Sequence, residues 1–483
     1  MIYEWPRATI AARTPRVLVL GAGICGLAAA LELVERGARV LLVESERETG
    51  GLLRTSERDG FRFDRGGHRF ITAIPWVLAR IEALLGDRLL LRERKSFVLL
   101  DGTRIAYPLA IGDLLQKLGP LANLRALASY LSARARGSFG DADDTTLADW
   151  LRRRFGDYLY QRVFAGYTRK LWGLPPEQMS AEWAPQRFSI PTLGGFLRHA
   201  LFASARPPRT IAVRFLYPRL GIGEIAEHYT NEFVRRGGEL RLATHVTTLA
   251  PASRGFRAQL NDGDQTASVE VDGVISTVPL AALRDTLTPK PAPQTADLPM
   301  RGLRFLNLAF QDPIALDATW LYQPDPRTFF TRLQVPAARS PELTPSGRGS
   351  LQLEIPWDGV SAPPPLADEV ALARTELRRA GIETSAPLFA FRVNEPSAYP
   401  IYRNGARSQA RTALAELGEI PHFISVGRQG QFSYIFLDRA LADGVNAARR
   451  MLGLVIESID EDRGARAPLE AASLLEERIG ADS

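Results

Sequence analysis

The sequence predicts an α/β fold whose parallel, nucleotide-binding sheet is interrupted twice. Three observations predict it. An apolar run, Arg16-Val-Leu-Val-Leu20, passes through Gly21-Ala-Gly23-Ile-Cys-Gly26 into Leu27, Leu31 and Val34, which recur at i, i+4 and i+7. A second apolar run, 39–43, follows one helix length later and ends on Glu44. The same α/β style then returns at 217–285 and at 416–455. Continuous apolar runs suit strands buried on both faces, and the spacing between them suits a helix.

The glycines stand where a strand turns into a helix, and each has a physical task. Gly21 permits the tight turn, Gly23 lets the backbone approach a pyrophosphate, and Gly26 lets helix and strand pack closely. The free N–H groups at the helix start then face an anion. Glu44 is placed to accept hydrogen bonds from a ribose. Gly50-Gly51 and Gly66-Gly67-His68 form a second glycine cluster and complete a unit spanning 15–74.

The remaining elements follow in order. Residues 1–14 read as a loose extension. Pro75 opens a helix over 75–85, with Val77, Ile81, Leu84 and Leu85 on one side. Residues 96–108 alternate as a hairpin about Asp101-Gly102. From 111 to 171 the pattern is helical, with a break at 141–146. Leu114, Leu115, Leu118 and Leu121 give it a face expected to pack as a cap over the ligand rather than on a membrane. Further on, 225–235 reads as a helix stopped by Gly237-Gly238, and 240–246 and 271–278 read as strands. Residues 290–415 are strand-like and proline-punctuated, including 304–310 and 350–355, which suits a mixed sheet. Residues 422–426 form a strand, 427–430 a turn and 437–452 a helix; 457–483 is a tail. One domain therefore combines 15–74, 217–285 and 416–455. The region 75–216 is a helical cap and 286–415 a mixed-sheet substrate domain. The ligand is expected between them, at the carboxyl ends of the parallel strands.

Composition narrows the class. At 483 residues the chain suits two or three domains, and 45% apolar content supports a large core. A net charge of +6 is small for this length, and no basic run is dense enough for nucleic acid. Four of the 60 basic residues are lysine, and arginine is the better bidentate partner of phosphate. No stretch approaches the roughly 20 uncharged apolar residues of a membrane helix, and 1–13 has no signal-peptide core. The single cysteine, Cys25, excludes an internal disulfide and fits a cytoplasmic setting. No metal site is expected.

Together these residues resemble the FAD-dependent amine oxidase superfamily, which includes protoporphyrinogen oxidases, phytoene-type desaturases and UDP-galactopyranose mutases. Residues 19–27 resemble its dinucleotide motif, and Glu44 with Gly50-Gly51 its second element. Residues 60–68 resemble the loop that follows, and Val426-Gly427-Arg428 its C-terminal flavin motif. The resemblance implies a Rossmann-like FAD-binding domain of the glutathione reductase type. It implies that Gly21, Gly23 and Gly26 hold the pyrophosphate, Glu44 the ribose, and the Val246 backbone the adenine. Gly51, Leu52, Arg54, Gly67 and His68 would border the flavin, and Gly427 and Arg428 the ribityl chain and pyrophosphate.

Several segments are similar to the mutase branch. Tyr167-Thr-Arg-Lys-Leu-Trp172-Gly173 resembles a segment whose tryptophan borders the substrate. Arg187 and Arg332 lie near diphosphate-binding arginine positions, Tyr399 lies in a similar tyrosine-proline loop, and Tyr434 matches a tyrosine near the flavin. His68, Trp172, Arg187, Arg332, Tyr399 and Tyr434 are thus the candidate catalytic residues. Two departures stand out: Phe436 occupies an expected aspartate, and Ile71 a second histidine. The resemblance implies an oxidoreductase that moves hydride from a small molecule to flavin N5. The alternative is a non-redox isomerisation of a nucleotide sugar, which needs cations such as Arg187 and Arg332 for the leaving diphosphate.

Overall fold

The computed structural model describes residues 14–100, 102–107, 117, 119–137, 145–184, 214–288, 298–456 and 459. The expectations for Leu114, Leu115, Leu118 and Arg187, and for nearly all of both tails, fall outside these residues.

Five parallel strands form the central sheet, in the order Phe423–Ser425, Gly273–Ser276, Arg16–Leu20, Arg39–Val43 and Glu239–Arg241. The strands come from three stretches far apart in sequence. Alternate side chains divide the core. Val17, Val19, Val40 and Leu42 face a helical layer that includes Leu27, Leu31, Val445 and Ala448. Leu18, Leu20, Leu41 and Val43 face an antiparallel meander carrying Leu249, Ala258 and Leu260. The helical layer is tight. A Cβ on Gly444, in helix Leu437–Met451, would fall 2.2 Å from the Cys25 carbonyl oxygen of helix Ile24–Glu35.

Two expected strands are each divided in two. At 240–246, Glu239–Arg241 ends the parallel sheet and Ala243 turns the chain at φ +48°. His245–Pro251 then begins the meander, paired with Phe256–Asn261 and onward with Thr266–Val271. At 271–278 the break falls on Asp272, whose carboxylate accepts the Arg16 N–H at 2.8 Å. Thr266–Val271 belongs to the meander and Gly273–Ser276 to the parallel sheet.

A seven-stranded sheet builds the other lobe, in the order Pro387–Pro400, Met300–Phe310, Gly349–Trp357, Arg332–Gln334, Trp320–Tyr322, Ser96–Leu100 and Thr103–Ala106. All its pairings are antiparallel except that of Trp320–Tyr322 with Ser96–Leu100. Strand Arg214–Pro218 pairs with Leu89–Glu93 beside it. Helices Pro120–Gly137, Leu147–Leu159 and Gly166–Trp172 bury Ala126, Leu147, Leu151, Phe155 and Trp172 in the same cluster as Leu249 and Ala258 of the meander. Gly156 interrupts the second at φ +77°, where any Cβ would meet the Tyr130 nitrogen at 2.7 Å. Ala126 and Tyr130 bury the inner face of Pro120–Gly137, but Leu121, Leu124, Leu127 and Leu131 stay exposed. Helical spacing there identified the helix but not which leucines pack. No described helix is long and apolar enough to cross a membrane.

Candidate functional site

The start of helix Ile24–Glu35 is the meeting point of the first group of candidates. Gly21 adopts φ +92° and donates its N–H to the Val43 carbonyl at 2.8 Å, which locks the turn onto the second strand. A Cβ on Gly26 would fall 1.9 Å from the Gly21 oxygen, so helix and turn touch backbone to backbone. Gly23 caps the helix without a side-chain partner, and a Cβ there would meet nothing within 4 Å. An open face therefore lies before unpaired helical N–H groups, the electrostatic setting for an anion.

Glu44 joins the group from the second strand. Its Oε2 accepts the Ala22 N–H at 2.7 Å, and its Oε1 accepts the Glu46 N–H at 3.0 Å. Gly50 donates to the Ala22 carbonyl at 2.8 Å, and a Cβ on Gly51 would lie 3.3 Å from the Gly23 Cα. Gly427, at φ +85°, starts a short helical turn where a Cβ would meet Cys25 Sγ at 3.0 Å. Glu44 and Gly427 thus both meet the stretch 21–25, Glu44 at the Ala22 N–H and Gly427 at the Cys25 side chain. Arg54 reaches back to the Gly51 carbonyl through Nε at 3.1 Å and toward Glu46. Beyond Arg54 and Arg65 opens a cavity of about 680 Å³, floored by residues of 45–48, 243–247 and 261–263. Val246 is half-buried beside it on the meander strand.

A second group gathers where the loop after Asp64 meets the seven-stranded sheet. A Cβ on Gly67 would fall 2.7 Å from Arg332 Nη1. Arg332 donates to Glu354 Oε2 through Nε at 3.1 Å and also through Nη2, so its charge is already compensated. The Tyr399 ring stands 5.9 Å from Trp172 and 5.6 Å from Tyr434. The Arg428 guanidinium lies 5.5 Å from the Tyr399 centroid and 5.1 Å from that of Tyr434, within cation–π range. It is held there by the carbonyls of Ala398 at 3.3 Å and Ile435 at 2.5 Å. Trp172 is buried edge-on against Trp183 at 5.0 Å, and its Nε1 finds no acceptor among the described residues. Phe436 packs edge-on to Tyr434. Leu52 joins the two groups by packing with Phe305, Ala398 and Tyr399. Burial, then Glu354 and the neighbouring Tyr434, push the Tyr399 hydroxyl far above the usual phenol range, against the pull of Arg332 and Arg428. Tyr399 keeps its proton and can donate but not act as a base.

His68 sits between the groups, with Nε2 3.0 Å from the Arg65 carbonyl oxygen. Burial holds its pKa below the ordinary 6.5; Arg428 and Arg339 act in the same sense, and Asp64 and the Arg65 carbonyl oppose them. Between the lowered folded value and 6.5 the unfolded chain binds the extra proton, so stability falls as pH drops through that window. The expected result is that His68→Gln narrows the loss of melting temperature between pH 7 and pH 5. A variant and parent that lose stability in parallel over that range would contradict it.

Sequence reasoning missed the polar floor under this loop. Ser350, Gln352 and Glu354 alternate along strand Gly349–Trp357 and are all buried. Gln352 Nε2 donates to the Asp64 carbonyl at 2.7 Å and to Asn307 Oδ1 at 2.7 Å. Asp64 accepts from Thr55 at 2.8 Å, from the Ile222 N–H at 3.1 Å, from Tyr217 and from Arg339 at 2.9 Å. The available signal was period two: polar residues at alternate positions of an otherwise apolar strand mark one face as serving a polar partner. Arg65, paired with Glu395 at 3.3 Å, was missed as well.

Comparison with known proteins places this geometry. The sequence profile of the family described as flavin containing amine oxidoreductase matches residues 24–452. A coproporphyrinogen III oxidase of Propionibacterium freudenreichii subsp. freudenreichii is 30% identical over 175 residues, covering 34% of this chain and 33% of that protein. The chloroplastic protoporphyrinogen oxidase of Nicotiana tabacum is 20% identical over 294 residues, covering 56% and 52% respectively. This chain thus spans about a third of the first relative and half of the second. The crystal structure of a reduced UDP-galactopyranose mutase superimposes with a TM-score of 0.78 at 21% identity, over 95% of this chain and 99% of that one, which establishes a shared fold.

Proposed function

We propose, for a chain that belongs to the flavin-containing amine oxidoreductase family, that it oxidises a reduced, ring-bearing small molecule with FAD, its cofactor, as the electron acceptor. The residues fit the group. Gly23 leaves open space before a helix start, Glu44 presents a carboxylate at the end of the second strand, and Gly427 approaches the same helix start at Cys25. In this reading the turn of Gly21, Gly23 and Gly26 holds the pyrophosphate, with Gly23 facing it, Glu44 the ribose and Val246 the adenine. Gly51, Leu52, Arg54, Gly67, His68, Gly427 and Arg428 border the rest. Bound there, FAD supplies a two-electron acceptor. The chain's own residues orient the substrate and exclude water.

The observation that carries the reading is the continuous ring wall of Trp172, Tyr399 and Tyr434 beside the Gly67 loop. Adjoining aromatic rings, here tilted at 60° and 40° to one another, can hold a flat or conjugated substrate by area and ring geometry. Both described cations at the wall are engaged: Arg332 by Glu354, and Arg428 by two carbonyls and two rings. No free cation among the catalytic candidates described stands ready for a departing diphosphate. Arg428 nevertheless leaves a second reading, nucleotide-sugar isomerisation, as the competing arm of the test.

Purified protein should be yellow and release FAD on denaturation. Incubated with coproporphyrinogen III or protoporphyrinogen IX in air, it should generate porphyrin fluorescence above the spontaneous rate. Trp172→Ala should lower that rate at least about 10-fold through the loss of a buried wall. Isomerisation of UDP-galactopyranose by dithionite-reduced protein, with no porphyrinogen turnover, would replace this reading with the second.

A further inference from the structure

The helix that carries Trp172 also carries a part-buried ammonium that the proposed oxidation does not use. Lys170 Nζ lies 3.0 Å from the Gln323 carbonyl oxygen, 2.9 Å from that of Asp325, 2.6 Å from Thr328 Oγ1 and 2.5 Å from the Phe330 carbonyl oxygen. An ammonium has three N–H donors, so four oxygens at this range form a coordination shell round a point charge rather than a set of one-to-one bonds. Shells of carbonyl and hydroxyl oxygens are what small monovalent cations accept in place of water. Among the described residues, no carboxylate completes this one. The Asp325 carboxylate is turned to Arg327 at 2.7 Å, and Glu376 Oε2 accepts the Phe329 N–H at 3.3 Å. Burial accordingly lowers the Lys170 pKa to about 8, with Glu376 and Asp325 pulling the other way.

The shell belongs to one loop, 323–330, folded round the charge. That loop runs directly into Thr331, which donates to the Glu354 carbonyl through its N–H at 2.9 Å, and then into Arg332. On the helix side, Arg301 donates to the carbonyls of Leu171 at 2.7 Å and Lys170 at 3.3 Å. One side chain therefore connects the segment ending at Trp172 with the segment entering Arg332.

We propose that Lys170 is a positioning residue whose ammonium orders the 323–330 loop and so sets the Trp172 wall against the Arg332–Glu354 pair, and that the same oxygen shell binds ammonium or potassium when the side chain is shortened. The positioning role rests on Trp172 and Arg332 lining the cleft; the cation shell does not.

The test uses the FAD-loaded full chain as Lys170→Ala, with Lys170→Met to fill the side chain's space without a charge. Lys170→Ala should melt about 5 °C below the parent and change the visible circular dichroism of the bound flavin. Ammonium chloride at 100 mM should restore at least half of both effects, and tetramethylammonium chloride at equal ionic strength neither. Lys170→Met should not respond to either salt, nor should the parent. If Lys170→Ala does not fold, Lys170→Ser takes its place, with the same expected recovery in ammonium. Equal effects of the two salts on the shortened variant would overturn the cation shell. Recovery of the melt with no change in flavin dichroism on substitution would overturn the positioning role. A chain that binds no flavin at all would fail the functional proposal instead, and the melting comparison would still decide the shell.

Discussion

Gly26→Ala should yield no folded protein, whereas Gly23→Ala should fold as the parent does and emerge without its flavin. The two glycines are three residues apart in one motif, yet the structure gives them different duties. A methyl on Gly26 would overlap the Gly21 carbonyl oxygen at 1.9 Å. Both partners are backbone, and the Gly21 turn is pinned to the second strand through its N–H to Val43. Neither can yield without separating helix from sheet. The cost exceeds the usual 1–3 kcal/mol of overpacking, because no side chain is free to swing away. Gly23 differs in both respects. Its φ of −68° suits any residue, and its Cβ would meet no protein atom within 4 Å. The added methyl occupies space before the helix N-terminus, where a pyrophosphate must come within hydrogen-bond reach of the N–H groups. FAD affinity should fall at least about 100-fold, near 2.7 kcal/mol. Far-ultraviolet melting of the two apoproteins and titration with FAD separate the cases. Stoichiometric flavin in purified Gly23→Ala, or a parental melt for Gly26→Ala, would refute the division of labour.

That division was legible in the sequence because it is local. A strand, a turn and a helix within 20 residues leave a pattern of apolar runs and glycines that tertiary context rarely overrides. The return of the α/β style after two long insertions was legible for the same reason. What could not be read is set by contacts of long sequence separation. That Ala243 and Asp272 divide two strands depends on where the meander leaves the parallel sheet. That Arg332 is paired with Glu354 could not be read either, because Glu354 lies on a neighbouring strand in a register that sequence does not reveal. Likewise the spacing of Leu114, Leu115, Leu118 and Leu121 describes a helix face, but only packing decides that Leu121, the one of them described, stays in solvent.

Arg339→Met should be the most damaging substitution outside the glycine turn, at about 3–5 kcal/mol. Arg339 and Asp64 form an ion pair in which neither side chain is exposed at all. Breaking such a pair leaves one charge in the interior without its counterion, which costs far more than the pair's net contribution. Asp64 would retain Thr55, Tyr217 and the Ile222 N–H as donors, but all three are neutral. Asp64→Asn alone should be similarly damaging, since it leaves the guanidinium unbalanced. The double substitution removes both charges and keeps the neutral donors, so it should be less destabilising than the sum of the two by at least about 1 kcal/mol. Chemical denaturation of the four proteins closes the cycle. Strict additivity would mean that the pair is not the unit it forms in the structure. The consequence for the site follows from the same contacts. Arg339 also donates to the Gly66 carbonyl at 3.3 Å, and Gln352 donates to the Asp64 carbonyl. The loop leading to Gly67 and His68 is thus tied to the seven-stranded sheet through buried polar groups. Arg339→Met should therefore weaken flavin retention as well as the fold, although Arg339 belongs to none of the segments proposed to touch the dinucleotide. A destabilised variant that still held flavin with parental affinity at a temperature well below its melt would show that the loop is positioned by the glycine turn alone.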